Sequence, residues 1–307
     1  MTKAKNTPEK RKKPRKPLSE EGKPGRYDPR NTLNDLTGKD WLLLTRSYWK
    51  TEPSPDDKTA YSHPAPFLVR DVQKLISLFT KKGMTVLDPF AGSGTALLAA
   101  LQIDRRAVGI DINPEYGELT KLRLAEKGYD QYTFIIGDSR EKVHDVGPVD
   151  YIVTSPPYHN ILKNDGKGTR HWSGKQYRMA ARSGVEAYTD LPNDLGNLEE
   201  YGDFLDGLRD IMGGCLAALR PGRYCTIIIS DFTVNKIEVC VQADVARTMV
   251  GVGFVFCGTT VLFQPVKPLY PFGYPYAYKI NHHHQNLITF RRPPEPAVVA
   301  ALQKVGR

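Results

Sequence analysis

The stretch MTVLDPFAGSGTALLAALQ (residues 84–102) decides the fold. Its first residues favour a short buried strand that ends on Asp88, a glycine-containing turn follows, and the apolar residues after the turn favour a helix. RRAVGIDIN (residues 105–113) then returns to strand-forming residues and reaches Asp111. This order of strand, glycine turn, helix and strand is typical of a βαβ unit, whose two strands lie parallel.

The same alternation continues on both sides of this unit. VRDVQKLISLFTKKG (residues 69–83) precedes it with apolar residues at helical period, and PEYGELTKLRLAEKG (residues 114–128) follows as a helix with proline in its first turn. YTFIIGDS (residues 132–139) and VDYIVTSPPY (residues 149–158) read as two more strands, the first leading to Asp138. We therefore predict a doubly wound, Rossmann-like α/β sheet, in which ligands bind beyond the carboxyl ends of the strands.

The second half of the chain resumes the pattern after an interruption. Residues 159–198 are polar and rich in glycine, and they predict an inserted loop region. After it we predict a helix in residues 198–222, a strand in 223–232, a helix near 243–251 and closing strands in 254–263 and 284–292. The predicted catalytic domain spans residues 34–292, beginning with a short helix and a proline-rich loop, and 293–307 form a C-terminal tail.

The basic charge of the protein is concentrated at its N-terminus. The whole chain carries 43 Lys and Arg against 34 Asp and Glu, a net charge of +9. Residues 1–30 alone hold 11 basic and 4 acidic residues, and they contain almost no large apolar ones. We predict that residues 1–33 form a disordered basic tail, which either contacts phosphates or only improves solubility.

The remaining composition is that of an ordinary soluble protein. Hydrophobic residues make up 40% of the chain, and no apolar run is long enough for a membrane span or a signal core. The four cysteines show no CxxC spacing, so we interpret them as reduced core residues. In NHHHQ (residues 281–285) neighbouring histidines of a strand would face opposite ways without carboxylates at ligand spacing, and we predict no metal site. We expect a cytoplasmic protein.

The glycine turn differs from the common phosphate-binding loops. DPFAGSGT (residues 88–95) lacks the third glycine of GxGxxG and the Gly-Lys-Ser/Thr of a triphosphate loop. Asp88 makes the turn acidic, which suits a cationic or hydroxyl-bearing ligand. Asp111 follows 23 residues later, where an acid in this fold reaches ribose hydroxyls. From the residues alone, a plain strand–helix turn and a solvated or helix-capping Asp111 remain alternatives.

Four motifs taken together resemble one enzyme family. DPFAGSGT, GIDINPEY, GDS and TSPPY closely resemble the amino-methyltransferases, which use S-adenosylmethionine to methylate the exocyclic nitrogen of cytosine or adenine in DNA. The resemblance extends from about His63 to Arg292 and therefore covers most of the chain. It implies a methyltransferase sheet, S-adenosylmethionine as cofactor, double-stranded DNA as partner and, as a further possibility, a companion restriction endonuclease.

The resemblance also implies roles for particular residues. Asp88 and the turn from Phe90 to Thr95 would hold the methionine end of the cofactor, with the Phe90 ring near the sulfonium. Asp111 would bind the ribose and Asp138 would lie near the adenine, while HPAPF (residues 63–67) would close the pocket. The predicted cofactor-binding residues are Phe67, Asp88, Phe90, Ala91, Gly92, Gly94, Thr95, Asp111 and Asp138.

The motif SPPY would carry the catalytic chemistry. The Ser155 hydroxyl and a backbone carbonyl near Pro156 would accept the two N–H groups of the target amine and localise its lone pair. Pro156 and Pro157 stiffen this backbone and offer no N–H. Tyr158 would stack on a base swung out of the duplex. The resemblance favours cytosine N4, since cytosine-specific members favour Ser here; adenine N6, RNA methylation and an inactive binding module are the alternatives.

Two further segments are candidates for nucleic-acid contact. The close succession of cofactor and catalytic motifs leaves no room for a recognition domain between them, so we assign recognition to the insert. Its predicted contact residues are Lys163, Lys167, Arg170, Trp172, Lys175 and Arg178, with a solvated loop as the alternative. LYPFGYPYAYK (residues 269–279) either lines the same cleft and stacks on bases or caps an edge of the core.

Overall fold

The computed structural model describes residues 25–57, 67–159, 170–172, 175–177, 189–235 and 237–294. Within them, eight strands form one mixed sheet and four short strands form two antiparallel hairpins. The strands of the sheet are β1 (Tyr48–Lys50), β2 (Thr85–Asp88), β3 (Arg106–Asp111), β4 (Thr133–Ile136), β5 (Val149–Thr154), β8 (Leu219–Ile229), β11 (Val255–Phe263) and β12 (His284–Arg291). The hairpin strands are β6 (Arg170–Trp172) with β7 (Lys175–Tyr177), and β9 (Phe232–Val234) with β10 (Ile237–Val239).

Helices cover both faces of the sheet. They are α1 (Gly38–Leu44), α2 (Val69–Phe79), α3 (Thr95–Leu101), α4 (Pro114–Ala125), α5 (Ser139–Lys142), α6 (Tyr201–Ala218) and α7 (Val241–Val252). Successive strand residues point to opposite faces, so Val86 packs in the cluster with α2 and α3, whereas Leu87 packs in the cluster with α6 and α7. The same alternation separates Val153 from Ile152 on β5. The result is a three-layer α/β domain with a core on each side of the sheet.

The order of the strands fixes the place of the ligand site. The sheet runs β1-β11-β12-β8-β5-β2-β3-β4, and only β12 runs against its neighbours. The chain moves outward from β2 through β3 to β4 and then returns to β5 on the other side of β2. A crevice forms at such a reversal, beyond the carboxyl ends of the two central strands. These ends carry Asp88 and Thr154.

The predicted fold class is confirmed, and each strand and helix of the central unit occupies its predicted segment. Strand β1 has no signal in the sequence; it pairs in parallel with β11 and adds an edge strand through Tyr48–Lys50. Trp49 is buried there and donates from Nε1 to the Leu44 carbonyl at 3.1 Å. Three polar or amphipathic residues are too few to reveal a strand by periodicity.

The interpretation of all four cysteines as core residues is wrong for two of them. Cys215 and Cys225 are buried, whereas Cys240 and Cys257 are exposed. Cys257 lies at the shift in register between Phe256 and Gly258 in the pairing of β11 with β12. An extra residue in one strand reverses which face the following side chains point to. Along the described parts of the chain, no helix combines the length and the apolarity that a membrane crossing requires.

Candidate active site

Asp88 joins the first central strand to the second at their carboxyl ends. Its side chain is fully buried, and its Oδ1 accepts from the Thr154 hydroxyl at 2.6 Å and from the Phe90 N–H at 3.0 Å. Its Oδ2 has no hydrogen-bond partner among the described residues. Burial raises the pKa of Asp88 to about 7 against these two hydrogen bonds, and the nearby charge of Asp111 adds to the effect. One carboxylate therefore ties the glycine turn to the strand that bears the SPPY motif.

The glycine turn is held in a shape that other residues would resist. Gly94 has a φ of +74°, and a Cβ at this position would lie 2.5 Å from Cγ2 of Thr120. The Thr120 hydroxyl in turn donates to the Gly92 carbonyl at 3.1 Å. Helix α4 therefore approaches the turn closely, and this approach requires glycine at position 94.

A buried arginine that the sequence reasoning missed supports the same turn. Arg123 on α4 donates to the Ser93 carbonyl at 2.9 Å and to the Thr95 hydroxyl at 2.8 Å. Its other terminal nitrogen donates to the Asp56 carbonyl at 3.0 Å. Burial lowers the pKa of Arg123, but an arginine so paired remains charged. Arg123 stands between exposed and buried residues of α4, and its position in the sequence gave no sign of this role.

Asp111 closes the other side of the turn. One carboxylate oxygen accepts from the Gly92 N–H at 2.7 Å, and the other accepts from the Asn113 N–H at 2.9 Å. Burial raises the pKa of Asp111 to about 6 in spite of these bonds, and the charge of Asp194 contributes. Each carboxylate oxygen has two lone pairs, so both can accept a further hydroxyl from a ligand. The position suits the two hydroxyls of a ribose.

Asp138 begins a short helix and forms an ion-pair network. It caps α5 by accepting from the Arg140 N–H at 2.9 Å, and the Arg140 guanidinium lies 3.1 Å from its Oδ2. The Asn193 side-chain amide donates to the same oxygen at 2.7 Å. Partial burial alone would raise the pKa of Asp138, but the bonds from Arg140 and Asn193 hold it below its usual value. The network joins α5 to the segment that follows the insert.

The SPPY motif forms one wall of the cleft, except for its tyrosine. Ser155, Pro156 and Pro157 line the cleft. Tyr158 is 7% exposed, and its ring stacks on Phe232 with centroids 6.3 Å apart. Its hydroxyl accepts from the Gln285 side-chain amide at 2.8 Å. Burial raises the pKa of Tyr158, while the nearby Ser155, Gln285 and Ser230 act against the shift. In this structure the ring is buried against Phe232 and does not offer a face to a base.

These elements enclose a cleft of about 640 Å³, including the solvent at its mouth. Three carboxylates line it, from Asp111, Asp138 and Asp194, against the single guanidinium of Arg140. The other lining residues are Pro89, Phe90, Ile112, Tyr116, Ser139, Ser155, Pro156, Pro157, Thr189, Asn193, Leu195 and Ile211. A cleft with these carboxylates suits a cationic nucleoside with free ribose hydroxyls, and it opposes a polyphosphate. The residues present therefore fit S-adenosylmethionine.

The structure brings most of the predicted site residues together, in two layers. Phe90, Asp111, Asp138 and the first three residues of SPPY line the cleft directly. The predicted cofactor residues that lie outside this lining are Asp88, Ala91, Gly92, Gly94 and Thr95, which form the supporting turn, and Phe67, which is buried in the core beside α2. Residues 63–66 of the predicted pocket-closing motif lie outside the described residues.

Sequence reasoning missed part of the wall that follows the insert. Asn193 and Asp194 lie in the cleft, and the Asp194 carboxylate accepts from the Gly196 N–H at 2.8 Å and from the Thr189 hydroxyl at 2.8 Å. PNDLGN (residues 192–197) has the composition of a capped turn, which was a usable signal. Reaching the cleft, however, depends on contacts across 55 residues, from Asn193 to Asp138.

The predicted DNA-contact residues of the insert cannot be placed in the same way. Lys163, Lys167 and Arg178 lie outside the described residues. For Arg170, Trp172 and Lys175 the structure describes only the backbone, in the hairpin that pairs Trp172 with Lys175. Residues 1–24 of the predicted tail also lie outside the described part of the chain.

The Rossmann-like fold and the site agree with two family models that match parts of the chain. A family model described as DNA methylase matches residues 1–122, and another described as Methyltransferase domain matches residues 80–167. These matches confirm the predicted resemblance to the DNA amino-methyltransferases, and they support S-adenosylmethionine as the cofactor.

The curated relatives that the chain matches are named as methyltransferases. The type II methyltransferase M.BglI of Bacillus subtilis is 36% identical over 109 residues, which are 35% of this chain and 28% of that protein. The type II methyltransferase M.Cfr9I of Citrobacter freundii is 40% identical over 79 residues, 26% of this chain and 25% of that protein. The chain thus spans about a quarter of the length of these curated relatives. The structure of TrmN from Thermus thermophilus aligns with a TM-score of 0.49 and 17% identity, over 78% of this chain and 54% of that one.

Proposed function

We propose that the protein is a site-specific DNA methyltransferase, which transfers a methyl group from S-adenosylmethionine to the exocyclic amino group of a base swung out of the duplex. The observation that carries this proposal is the position of Ser155, whose strand end lines the same cleft as Asp111 and Asp138. A hydroxyl that can bind an amine therefore lies in the cleft that fits the cofactor. The names of the relatives, type II methyltransferases, support DNA as the substrate.

The residues of the cleft divide into those that bind and those that orient. Asp111 binds the ribose hydroxyls, and the surrounding carboxylates favour the positive charge of the bound nucleoside. S-adenosylmethionine, when bound, supplies the methyl group as an electrophile. The Ser155 oxygen accepts an N–H of the target amine and turns its lone pair toward the cleft. Gln285 holds the Tyr158 hydroxyl in place next to Ser155 through a hydrogen bond of 2.8 Å.

We propose cytosine N4 as the atom that is methylated. Ser155 offers a neutral hydroxyl that accepts one N–H, and cytosine is the smaller base, so the hydroxyl need not reach across a purine. The test is methylation of DNA from a methylation-free host, followed by digestion to nucleosides and mass spectrometry. N4-methylcytosine is the expected product. N6-methyladenine alone would move the target to adenine, and no transfer to DNA with intact cofactor binding would overturn the proposal.

Recognition of the DNA sequence is assigned to the insert. Replacing Arg170, Lys175 and Arg178 with alanine should weaken binding to DNA and flatten its salt dependence, by about 0.9 in the log-log slope for each lost phosphate contact. Deleting residues 1–16 is the matched comparison, because it should lower affinity without changing the methylated motif. A changed motif in the deletion variant would transfer recognition to the tail. A companion nuclease that cuts the same unmethylated site is part of this proposal.

A further inference from the structure

Residues 264–283, called here the aromatic loop, carry the most exposed aromatic rings among the described residues. The side chains of Tyr274, Tyr276 and Tyr278 are 73%, 94% and 90% exposed. Leu269 and Val266 in the same loop are 76% and 71% exposed. Tyrosine rings normally bury most of their apolar surface, so three such rings in five residues mark a surface for contact.

Hydrogen bonds between the two ends of the aromatic loop, and within its tip, fix its conformation. The Gln264 N–H donates to the His283 carbonyl at 2.7 Å. Nearer the tip, the Asn281 side chain accepts from the Tyr270 N–H at 2.9 Å and donates to the Tyr270 carbonyl at 2.8 Å. At the tip, Gly273 accepts from the N–H groups of Tyr276 and Ala277, at 2.8 Å each. The exposed rings therefore stand on an ordered base, which lowers the entropy lost on binding.

The aromatic loop lies at the same end of the sheet as the cleft, where the parallel strands finish. It connects the carboxyl end of β11 to the start of β12, and β11 runs in the same direction as β8 and β5 because β12 lies antiparallel between β8 and β11. A direct chain of contacts joins the loop to the catalytic motif. The Gln264 side chain donates to the Gln285 side-chain oxygen at 3.2 Å, and Gln285 donates to the Tyr158 hydroxyl at 2.8 Å.

The charge of the loop is opposite to that of the cofactor cleft. Residues 264–283 contain two lysines, two histidines and no Asp or Glu. Basic side chains attract phosphates, and every base offers a π face on which an exposed tyrosine can stack. Stacking of this kind requires bases that are not stacked in a duplex.

We propose that the aromatic loop is a second DNA-contact surface, on which Tyr276 and Tyr278 stack on unpaired bases of the strand that carries the target. This inference rests on the proposed action on DNA, and it assigns the loop a contact separate from the insert. Extruding a base leaves its neighbours unstacked, and the loop sits at the same sheet edge as Ser155 to receive them.

The test compares DNA binding by the full chain and three double variants of the loop. The probe is a fluorescein-labelled single-stranded 20-mer of mixed sequence, measured by fluorescence anisotropy. Y276A/Y278A should weaken binding at least tenfold, since two stacking contacts are lost. Y276F/Y278F should stay within about twofold of the parent, because the π faces remain. Y276L/Y278L keeps apolar volume without a π face and should bind as weakly as the alanine variant.

Tyr132→Ala is the control of the same residue type. Tyr132 lies just before β4 begins, at the end of the sheet opposite to the aromatic loop, so its loss should leave DNA affinity unchanged. Unchanged binding in Y276A/Y278A would overturn the proposal. Full affinity for DNA in Y276L/Y278L would overturn it too. That result would mean that the loop contributes apolar volume and not a π face on which bases stack.

A second measurement does not depend on the variants. Single strands containing 5-iodouracil should crosslink under ultraviolet light to Tyr276 or Tyr278, as mapped by peptide mass spectrometry, whereas crosslinks confined to other segments would contradict the stacking. Binding of S-adenosylhomocysteine and transfer of methyl groups to DNA are measured in parallel. Loss of single-strand binding in Y276A/Y278A without any methyl transfer by the parent would keep the surface and reject the proposed function. Methyl transfer to DNA by the parent, together with unchanged single-strand binding in Y276A/Y278A, would keep the proposed function and reject the loop as a DNA-contact surface.

Discussion

Replacing Asp88 with asparagine tests whether a buried charge at the centre of the site costs stability. Burial raises the pKa of Asp88 to about 7, from an ordinary value of 3.8. The folded pKa therefore lies above the unfolded one, so the stabilisation is complete below about pH 4 and is lost as the pH rises through 7. From pH 5 to pH 8 the loss amounts to about 2 to 3 kcal/mol of the free energy of unfolding.

In Asp88→Asn this loss should disappear. The asparagine oxygen can still accept from Thr154 and Phe90, and its amide replaces an oxygen that has no partner among the described residues. Burying that amide changes the free energy of unfolding by the same amount at every pH, because an amide does not titrate. The dependence of the free energy of unfolding on pH therefore reports the missing carboxylate. Asp111 has a raised pKa as well and remains in both proteins, so the difference between their profiles reports the Asp88 carboxylate together with its smaller coupling to Asp111.

The assay is unfolding in urea at pH 5, 6, 7 and 8, followed by circular dichroism. The difference in stability between the parent protein and Asp88→Asn should shift toward the variant by about 2 to 3 kcal/mol across this range. Asp145→Asn, which alters an exposed carboxylate, should leave the slope unchanged. If the free energy of unfolding depends on pH in the same way in the parent protein and in Asp88→Asn, the raised pKa of Asp88 is refuted. The burial of its carboxylate away from water is then refuted as well.

Three further substitutions probe the parts of the site separately. Asp111→Ala should weaken binding of S-adenosylhomocysteine more than tenfold in isothermal titration, since bonds to a charged acceptor are worth about 1.5 to 3 kcal/mol each; unchanged affinity would remove it from the ribose site. Gly94→Ala should cost at least about 1 kcal/mol in urea unfolding, since a left-handed φ is strained for alanine, and adding Thr120→Ala should restore only the part due to the contact with Thr120. Tyr158→Phe should lower the rate of methyl transfer about fivefold to tenfold with cofactor affinity unchanged, because the hydroxyl that Gln285 binds beside Ser155 is lost. If Tyr158→Phe is fully active while Tyr158→Ala is not, the ring and not the hydroxyl carries the function.

The sequence predicted those parts of the fold that depend on local pattern. The strands that end at Asp88, Asp111 and Thr154 are short apolar runs followed by glycine, proline or a helix, and each is found where the pattern placed it. Helix α2 shows the same success, since its apolar residues recur at helical period and it spans Val69–Phe79. These signals suffice because each element buries a face that its own residues define.

The walls of the cleft depended on contacts that no local pattern reveals. Asn193 reaches Asp138 across 55 residues, and Arg123 reaches Asp56 across 67. The prediction that Tyr158 would offer a stacking face to a base was made from the residue type alone, and the partner that covers its ring, Phe232, lies 74 residues further along the chain. Motifs identify which residues take part, whereas the packing of distant segments decides which atoms are left free.

The hydrogen bond between Thr154 and Asp88 gives the order of the two motifs a physical meaning. Asp88 holds the N–H of Phe90 at the start of the glycine turn, and through Thr154 it holds the residue that immediately precedes Ser155. A displacement of the turn therefore moves the strand end by the same contact, because the carboxylate is buried and cannot exchange its partners for water. In the proposed reaction one side chain therefore sets both the position of the cofactor and that of the target amine, and methyl transfer to a nitrogen needs that relative position within about 0.5 Å.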